Sequence, residues 1–286
     1  MSSIFKFVLL LSLSVFSTIA VHAQKKPLTV LSYNVLKGLQ GDSVNIARYV
    51  RWVAEKNADI IFYQEMNGFT QKSLEGFAAT YGHPYAVLAK EYGYPVAITS
   101  RYPILNVQKV LDNMWHGYIY ANVRGIHVFA VHLSPFVYKK RHYEIKQVLE
   151  HANLLPKGSP VMIAGDFNSY QARDSVHYSK KALLEQIERE KANVEIRNLH
   201  DGSFDYSVTA EMEKAGYREA VNIFSSGFNH TMPTKKHDAP FKTKIRIDYI
   251  WLNPVLRKQA SGATVIYDKE TDTMSDHYPV LLKLGR

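Results

Sequence analysis

The sequence contains no cysteine, and that absence removes several readings at once. Disulfide scaffolds and thiolate metal centres are excluded, as is lipid attachment through a cysteine near the N-terminus. Stability must come from a packed apolar core. Material for one is present, since 46% of the 286 residues are hydrophobic and 12% aromatic. Repeats, low-complexity tracts and Pro/Gly/Ser linkers are missing as well, which favours one domain over residues 24–286. No polybasic tail accompanies the formal charge of +9. A basic surface concentrates anionic substrates and membranes weakly, and Lys139-Lys140-Arg141 reads as a solvated helix start rather than a binding patch.

Residues 1–23 carry one cation, Lys6, then an apolar run over 7–20 that is short for a membrane span, and end Val21-His22-Ala23. This pattern predicts a secretory signal peptide cut before Gln24, and hence a secreted or periplasmic protein. Beyond it, residues 28–34 and 59–63 read as apolar strands, each ending in polar residues. A helix capped by Asp42 or Ser43 lies between them, and another follows with Leu74, Phe77, Ala78 and Tyr81 on one face. Short strands at 85–89, 95–100, 107–111, 118–123 and 126–133 suggest antiparallel hairpins. A helix over 138–155 leads to a strand at 161–164. Helices near 180–191 and 207–215 precede strands at 244–252, 263–267 and 278–284. Two mixed sheets with helices outside would account for this order.

The chemistry gathers at strand ends. Val161-Met162-Ile163-Ala164-Gly165-Asp166-Phe167-Asn168 is an apolar strand, a glycine, then an acid and an amide two positions apart. In extended chain both would point to one side. Asp, Asn and Ser also form turns, so the recurrence of the pattern matters more than any one case. Other strands end in Ser32-Tyr33-Asn34, Gln64-Glu65 and His132-Leu133-Ser134, and Ser275-Asp276-His277 opens the last one. Asp248 sits among Ile247, Tyr249 and Ile250, in a strand that should be covered. A buried carboxylate must be paired, with Arg246 or, more naturally, with His277. Like charges of this kind repel by roughly 4 kcal/mol per pair at about 4 Å and an effective dielectric of about 20. Were Glu65, Asp166, Asp248 and Asp276 to converge, a cation and an imidazolium would have to hold them. Oxygen ligands without thiolates select a hard ion, Mg²⁺ first, with Mn²⁺ or Ca²⁺ as alternatives.

Ser275-Asp276-His277 is no nucleophilic triad, because sequence neighbours cannot hydrogen-bond in series. Two carboxylates would serve a glycosidase, but that chemistry needs neither a histidine pair nor an amide. Hydrolysis at phosphorus uses the whole set.

Taken in order, Ser32-Tyr33-Asn34, Gln64-Glu65, Val96-Ala97-Ile98-Thr99-Ser100-Arg101, His132-Leu133, Gly165-Asp166-Phe167-Asn168, Arg246-Ile247-Asp248-Tyr249-Ile250 and Ser275-Asp276-His277 resemble the endonuclease/exonuclease/phosphatase superfamily. Pancreatic deoxyribonuclease, neutral sphingomyelinases and inositol polyphosphate phosphatases share its fold. The resemblance implies a four-layered α-β-β-α sandwich with the site at one end of the sheets. It implies Glu65 as main metal ligand, with Asn34 and Asp276 beside it. Asp166 would orient and deprotonate water, and Asn168 would hold a phosphate oxygen. His277, paired with Asp248, would stabilise pentavalent phosphorus, and His132 would contact the phosphate or help protonate the leaving oxygen. Whether Asp166 or His277 is the base stays open.

Two departures stand out. Pro95-Val96 replaces the Gly or Asn common before the Ala-Ile pair. His132 has no clear acidic partner, Glu91 being only a candidate. No hydrophobic hairpin of the membrane-pressing kind is evident either. The expected activity is a secreted, divalent-metal-dependent phosphodiesterase. The substrate would be a nucleic acid, a phospholipid head group or a small phosphate ester, and the enzyme a monomer without an obligate protein partner. A phosphomonoesterase, or a binding module on the same scaffold, is the alternative.

Overall fold

The computed structural model describes residues 27–238 and 243–285; the expected signal peptide lies outside them. Two six-stranded sheets dominate. In the first, the strand order is Ala260–Val265, Val280–Leu284, Leu28–Asn34, Ile60–Gln64, Ala97–Ser100, Tyr85–Leu88. In the second it is Arg218–Glu219, Asp248–Leu252, Val161–Asp166, Ile126–His132, Tyr118–Val123, Ile104–Val110. Each sheet is mixed, with one parallel pair: Leu28–Asn34 beside Ile60–Gln64, and Ile126–His132 beside Val161–Asp166. Parallel neighbours need a crossover. The helices Ser43–Lys56 and Tyr138–Asn153 supply these two. Each crossover returns the chain so that two strand ends emerge side by side.

Strand periodicity sorts the side chains into layers. Val30, Ile60, Phe62, Val128, Ala130, Met162, Ala164, Ile250, Val280 and Leu282 form the core between the sheets. The alternate residues Leu31, Tyr33, Ile61 and Tyr63 meet Tyr49, Trp52, Leu74 and Phe77 from the helices outside the first sheet. Phe129, Val131, Ile163 and Trp251 meet Ile145, Val148, Val208 and Met212 outside the second. The expected α-β-β-α layering is what the chain adopts. Among the described residues no helix is long and apolar enough to cross a membrane.

Local chemistry fixes the helix starts. Asp42 accepts a hydrogen bond from the Val44 N–H at 2.8 Å, and Thr70 with Ser73 forms a capping box. Two expectations change. The strands over 85–133 do not form one antiparallel series, because the chain crosses from the first sheet to the second between Ser100 and Ile104. The strand expected from residue 244 begins at Asp248, since Ile245 pairs separately with Met232.

A carboxylate ties the first crossover helix to the loop before the last strand. Asp268 accepts from Trp52 Nε1 at 2.9 Å, Lys56 Nζ at 2.8 Å and the Thr271 N–H at 2.9 Å. Partial burial pushes its pKa up, but the bonds from Lys56, Thr271 and Trp52 outweigh burial and hold it at about 2. A depressed folded pKa adds stability above the unfolded value, lost as pH falls through the folded one. Asp268→Asn is therefore expected to cost about 1 kcal/mol at neutral pH, solvent screening having reduced the effect. In urea titrations the difference from wild type should close as pH drops from about 4 towards 2.

Candidate active site

The row of inward-facing residues on each strand continues past the apolar core to its end. Val30 leads to Asn34, Phe62 to Gln64, Ala130 to His132, Ala164 to Asp166 and Ile250 back to Asp248. The site is the last, polar layer of the inter-sheet core. The first sheet brings Asn34, Glu65, Asp276 and His277, the second His132, Asp166, Asn168 and Asp248. Glu65, His132, Asp166, Asn168, Asp276 and His277 line one cavity of about 530 Å³. Asn34 and Asp248 brace it from behind.

Cross-sheet bonds set the geometry. Asn34 Nδ2 donates to Asp166 Oδ2 at 3.1 Å and to Glu65 Oε1 at 3.3 Å. Its Oδ1 accepts from the Leu36 N–H, so this amide presents N–H groups, not oxygen, to the site. His277 Nδ1 lies 2.8 Å from Asp248 Oδ2. This is the pairing reasoned from the sequence, and Arg246 binds Asp174 and Glu219 instead. His277 Nε2 stands 3.9 Å from Asp166 Oδ2 and 4.0 Å from Asp276 Oδ1. Ser275 Oγ bonds the Asn34 carbonyl and receives the His277 N–H, pinning that turn.

Two site residues, Glu65 and Asn168, adopt left-handed backbone with φ of +62° and +47°. Such conformations cost energy and persist where surrounding contacts enforce them. Glu65 is held by Lys37 N–H to Oε2 at 3.0 Å and by the Gly38 N–H to its carbonyl at 2.6 Å. Pro95, one of the departures from the family pattern, accepts the Met66 N–H with its carbonyl and braces the same turn. Asn168 reaches the cavity through a turn in which its N–H donates to Asp166 Oδ1 at 2.8 Å. The extended-strand argument for Asp166 and Asn168 therefore gives the right neighbours by the wrong route. The turn reading and the site reading hold together.

Charge is distributed unevenly. Burial, and then the Asp248 carboxylate, push the pKa of Asp166 up against the pull of His277. Burial alone would lower His277, but Asp248, Asp276 and Asp166 outweigh it and hold the imidazolium well above the usual histidine range. His132 goes the other way. Burial and the imidazoles of His116 and His277 keep it neutral. Its ring stacks on His116 with centroids 4.0 Å apart, and its Nε2 faces Asp166 at 3.6 Å. Glu91 is not its partner, since that carboxylate accepts from the Gln71 N–H. Among the described residues, the buried Nδ1 of His132 has no hydrogen-bond partner.

Asp166, Asp248 and His277 offer three atoms within 4.8 Å of one another, a grouping that could hold a metal ion. Asp248 Oδ2 is engaged by His277 Nδ1, while Asp248 Oδ1 is buried without a hydrogen bond among the described residues. The accessible oxygens are those of Glu65 and Asp276 at the cavity wall, beside Asp166, without a thiolate anywhere in the chain. Such a donor set fits a hard divalent cation.

Several cavity residues carry no sequence signal. His116, Trp115 and Tyr94 sit in loops with no recognisable motif. Arg141, read from sequence as part of a solvated helix start, is 1% exposed and lines the cavity. Helical spacing could have hinted at this, because Ile145 and Val148 share its face.

A two-sheet sandwich with acids, amides and a carboxylate-paired imidazole at one end is an arrangement suited to phosphate-ester hydrolysis. The Endonuclease/Exonuclease/phosphatase family matches residues 31–277, and the chain belongs to it. YbhP of Escherichia coli (strain K12) is 31% identical over 101 residues, 32% of this chain and 40% of that relative's length. Among solved structures, an AP endonuclease from Archaeoglobus fulgidus superposes with TM-score 0.66 at 19% identity, covering 89% of this chain and 98% of that one. A 3' phosphatase from Neisseria, bound to product DNA hairpin, gives 0.66 at 18% identity over 91% and 100%. D. rerio TDP2 with single strand DNA product gives 0.62 at 18% over 92% and 100%. Identities this low establish the shared fold.

Proposed function

We propose that the protein is an exported, divalent-metal-dependent phosphodiesterase. The observation that carries this reading is the cross-sheet cluster of Glu65, Asp166 and His277, braced by Asn34 and Asp248, at a cavity of nucleotide size. Glu65 and Asp276 would hold Mg²⁺, which supplies neutralisation of phosphoryl oxygen charge when bound. Mn²⁺ and Ca²⁺ suit the same oxygens. Asp166, with its raised pKa, is a better proton acceptor than an ordinary carboxylate and takes the proton of the attacking water. The Asp248-paired imidazolium of His277 donates to the charge developing on phosphorus oxygens. Asn168, whose Nδ2 already donates to the Leu133 carbonyl at 3.0 Å, directs its remaining amide N–H at the same group. His132, neutral, serves as a hydrogen-bond contact rather than as a proton donor. Two of the structural neighbours are bound to DNA products, which makes a nucleic acid one option for the substrate.

The test compares bis(p-nitrophenyl) phosphate with p-nitrophenyl phosphate, with and without EDTA. Hydrolysis of the bis-ester should exceed that of the mono-ester, stop in EDTA and return with Mg²⁺. Preference for the mono-ester would shift the assignment to a phosphatase. Hydrolysis of neither would favour a binding role.

A further inference from the structure

Two arginines in this molecule are buried to the same degree, yet they are treated differently. Arg246, 1% exposed, is saturated by Asp174, Glu219, Gln171 and Asn222. Arg141, also 1% exposed, donates through Nη1 to the Ser134 carbonyl and to Asn198 Oδ1, neither of which carries charge. Its Nε is buried without a hydrogen-bond partner among the described residues. Asp205 and Glu144 act on it only through space. Both Glu144 oxygens are taken by the Trp115 and Ser134 N–H groups, and Asp205 Oδ1 accepts the Ser207 N–H. Asp205 Oδ2 is buried without a hydrogen bond among the described residues, so Asp205 and Asp166 offset the Arg141 charge from a distance without touching it. A buried cation without a contacting anion is costly. This one faces the cavity that holds Asp166 and Asn168.

Arg189 reaches the same cavity from the helix Lys180–Ala192, where its side chain makes a long 3.5 Å contact to Gln186. The cleft continues there into a second cavity of about 400 Å³, which shares Tyr170, Gln186, Arg189, Met232 and Ile245 with the first. The cavity is thus lined by the carboxylates Glu65, Asp166 and Asp276 and also by the guanidinium groups of Arg141 and Arg189.

We propose that Arg141 and Arg189 form a subsite for a second phosphate on the substrate, beyond the ester that is cleaved. The inference rests on the phosphodiesterase reading and names the substrate class within it: a diester bearing a further anionic group. Guanidinium forks suit phosphate oxygens, and a phosphate there would give Arg141 the contacting anion that the described residues do not supply.

The test uses the full-length protein and pairs of diesters differing by one phosphate. One pair is thymidylyl-thymidine with and without a terminal phosphate; the other is glycerophosphoinositol with and without a ring phosphate. In at least one pair the added phosphate should raise kcat/KM about tenfold. The responding pair distinguishes a nucleotide backbone from a lipid-type headgroup. Arg189→Gln should bring that ratio close to one. Lys191→Gln, which removes the same charge from the same helix outside the cavity, should leave it. Arg141→Gln is read beside Arg141→Lys, which keeps the charge, and beside circular dichroism, so that misfolding is not taken for lost recognition. Ratios near one in the wild-type protein would overturn the subsite while the diesterase reading stood. Were no diester hydrolysed, that reading would fall, and equilibrium binding of the same compounds to wild type and Arg189→Gln would decide the subsite alone.

Discussion

Asp166→Asn and His277→Gln should each lower kcat on a phosphodiester by about 10³-fold or more, yet only the second should lose much stability. The rate loss follows from removing a positioned base in one case and a charged donor in the other. Stability separates them because the two groups enter the buried layer with opposite electrostatics. Ionised Asp166 is disfavoured by burial and by Asp248, so a neutral amide that still accepts the Asn168 N–H offsets the lost bond from Asn34 Nδ2 and should change stability little. His277 is the counter-charge of Asp248 at 2.8 Å. Replacing it strands a carboxylate that is 2% exposed, at a cost of about 3 kcal/mol. The raised folded pKa of His277 gives its sign: the stabilisation is complete below the unfolded value near pH 6.5 and fades as pH rises through the folded one. Urea unfolding at several pH values, beside turnover of bis(p-nitrophenyl) phosphate, measures both. Full activity in either variant would remove the assigned role, and an equal stability loss in both would contradict the charge argument.

Gly165→Ala should destabilise the protein by about 3 kcal/mol or more and abolish activity without touching a functional side chain. Gly165 has φ of +148° and pairs with Val131 in the parallel strand contact. A Cβ built there overlaps the Val131 carbonyl oxygen. The next register pair along is His132 with Asp166, so parting the strands to admit one methyl would displace an imidazole and the proposed base together. Thermal unfolding and the bis-ester assay check this. A variant with wild-type Tm and turnover would show that the strands can yield locally.

The layering was legible because alternation in strands and one-sided apolar helices are statements about the same core. Asp248 was legible for a related reason: an acid between two isoleucines has to be answered by a partner, and His277 supplies it. What escaped depends on contacts distant in sequence. Hairpin spacing over residues 85–133 cannot reveal that consecutive strands belong to different sheets, because a short loop looks alike in either case. A basic triplet looks solvated until the loop ending at Asn198 folds over Arg141. Nothing around His116 in the sequence announces that its ring will lie on that of His132. The left-handed turns at Glu65 and Asn168 were hidden by residue types that prefer other conformations, or are at home in many.

The bonds Asn34–Asp166 and Asp248–His277 each join one sheet to the other, with the apolar layer as the hinge between the halves. Catalytic alignment is then a property of the seam, not of either half. A slip of one sheet along its partner, too slight to expose the interior, would part the proton-handling groups before the protein lost its shape. Substitutions deep in that seam, far from any substrate, therefore belong among the determinants of turnover.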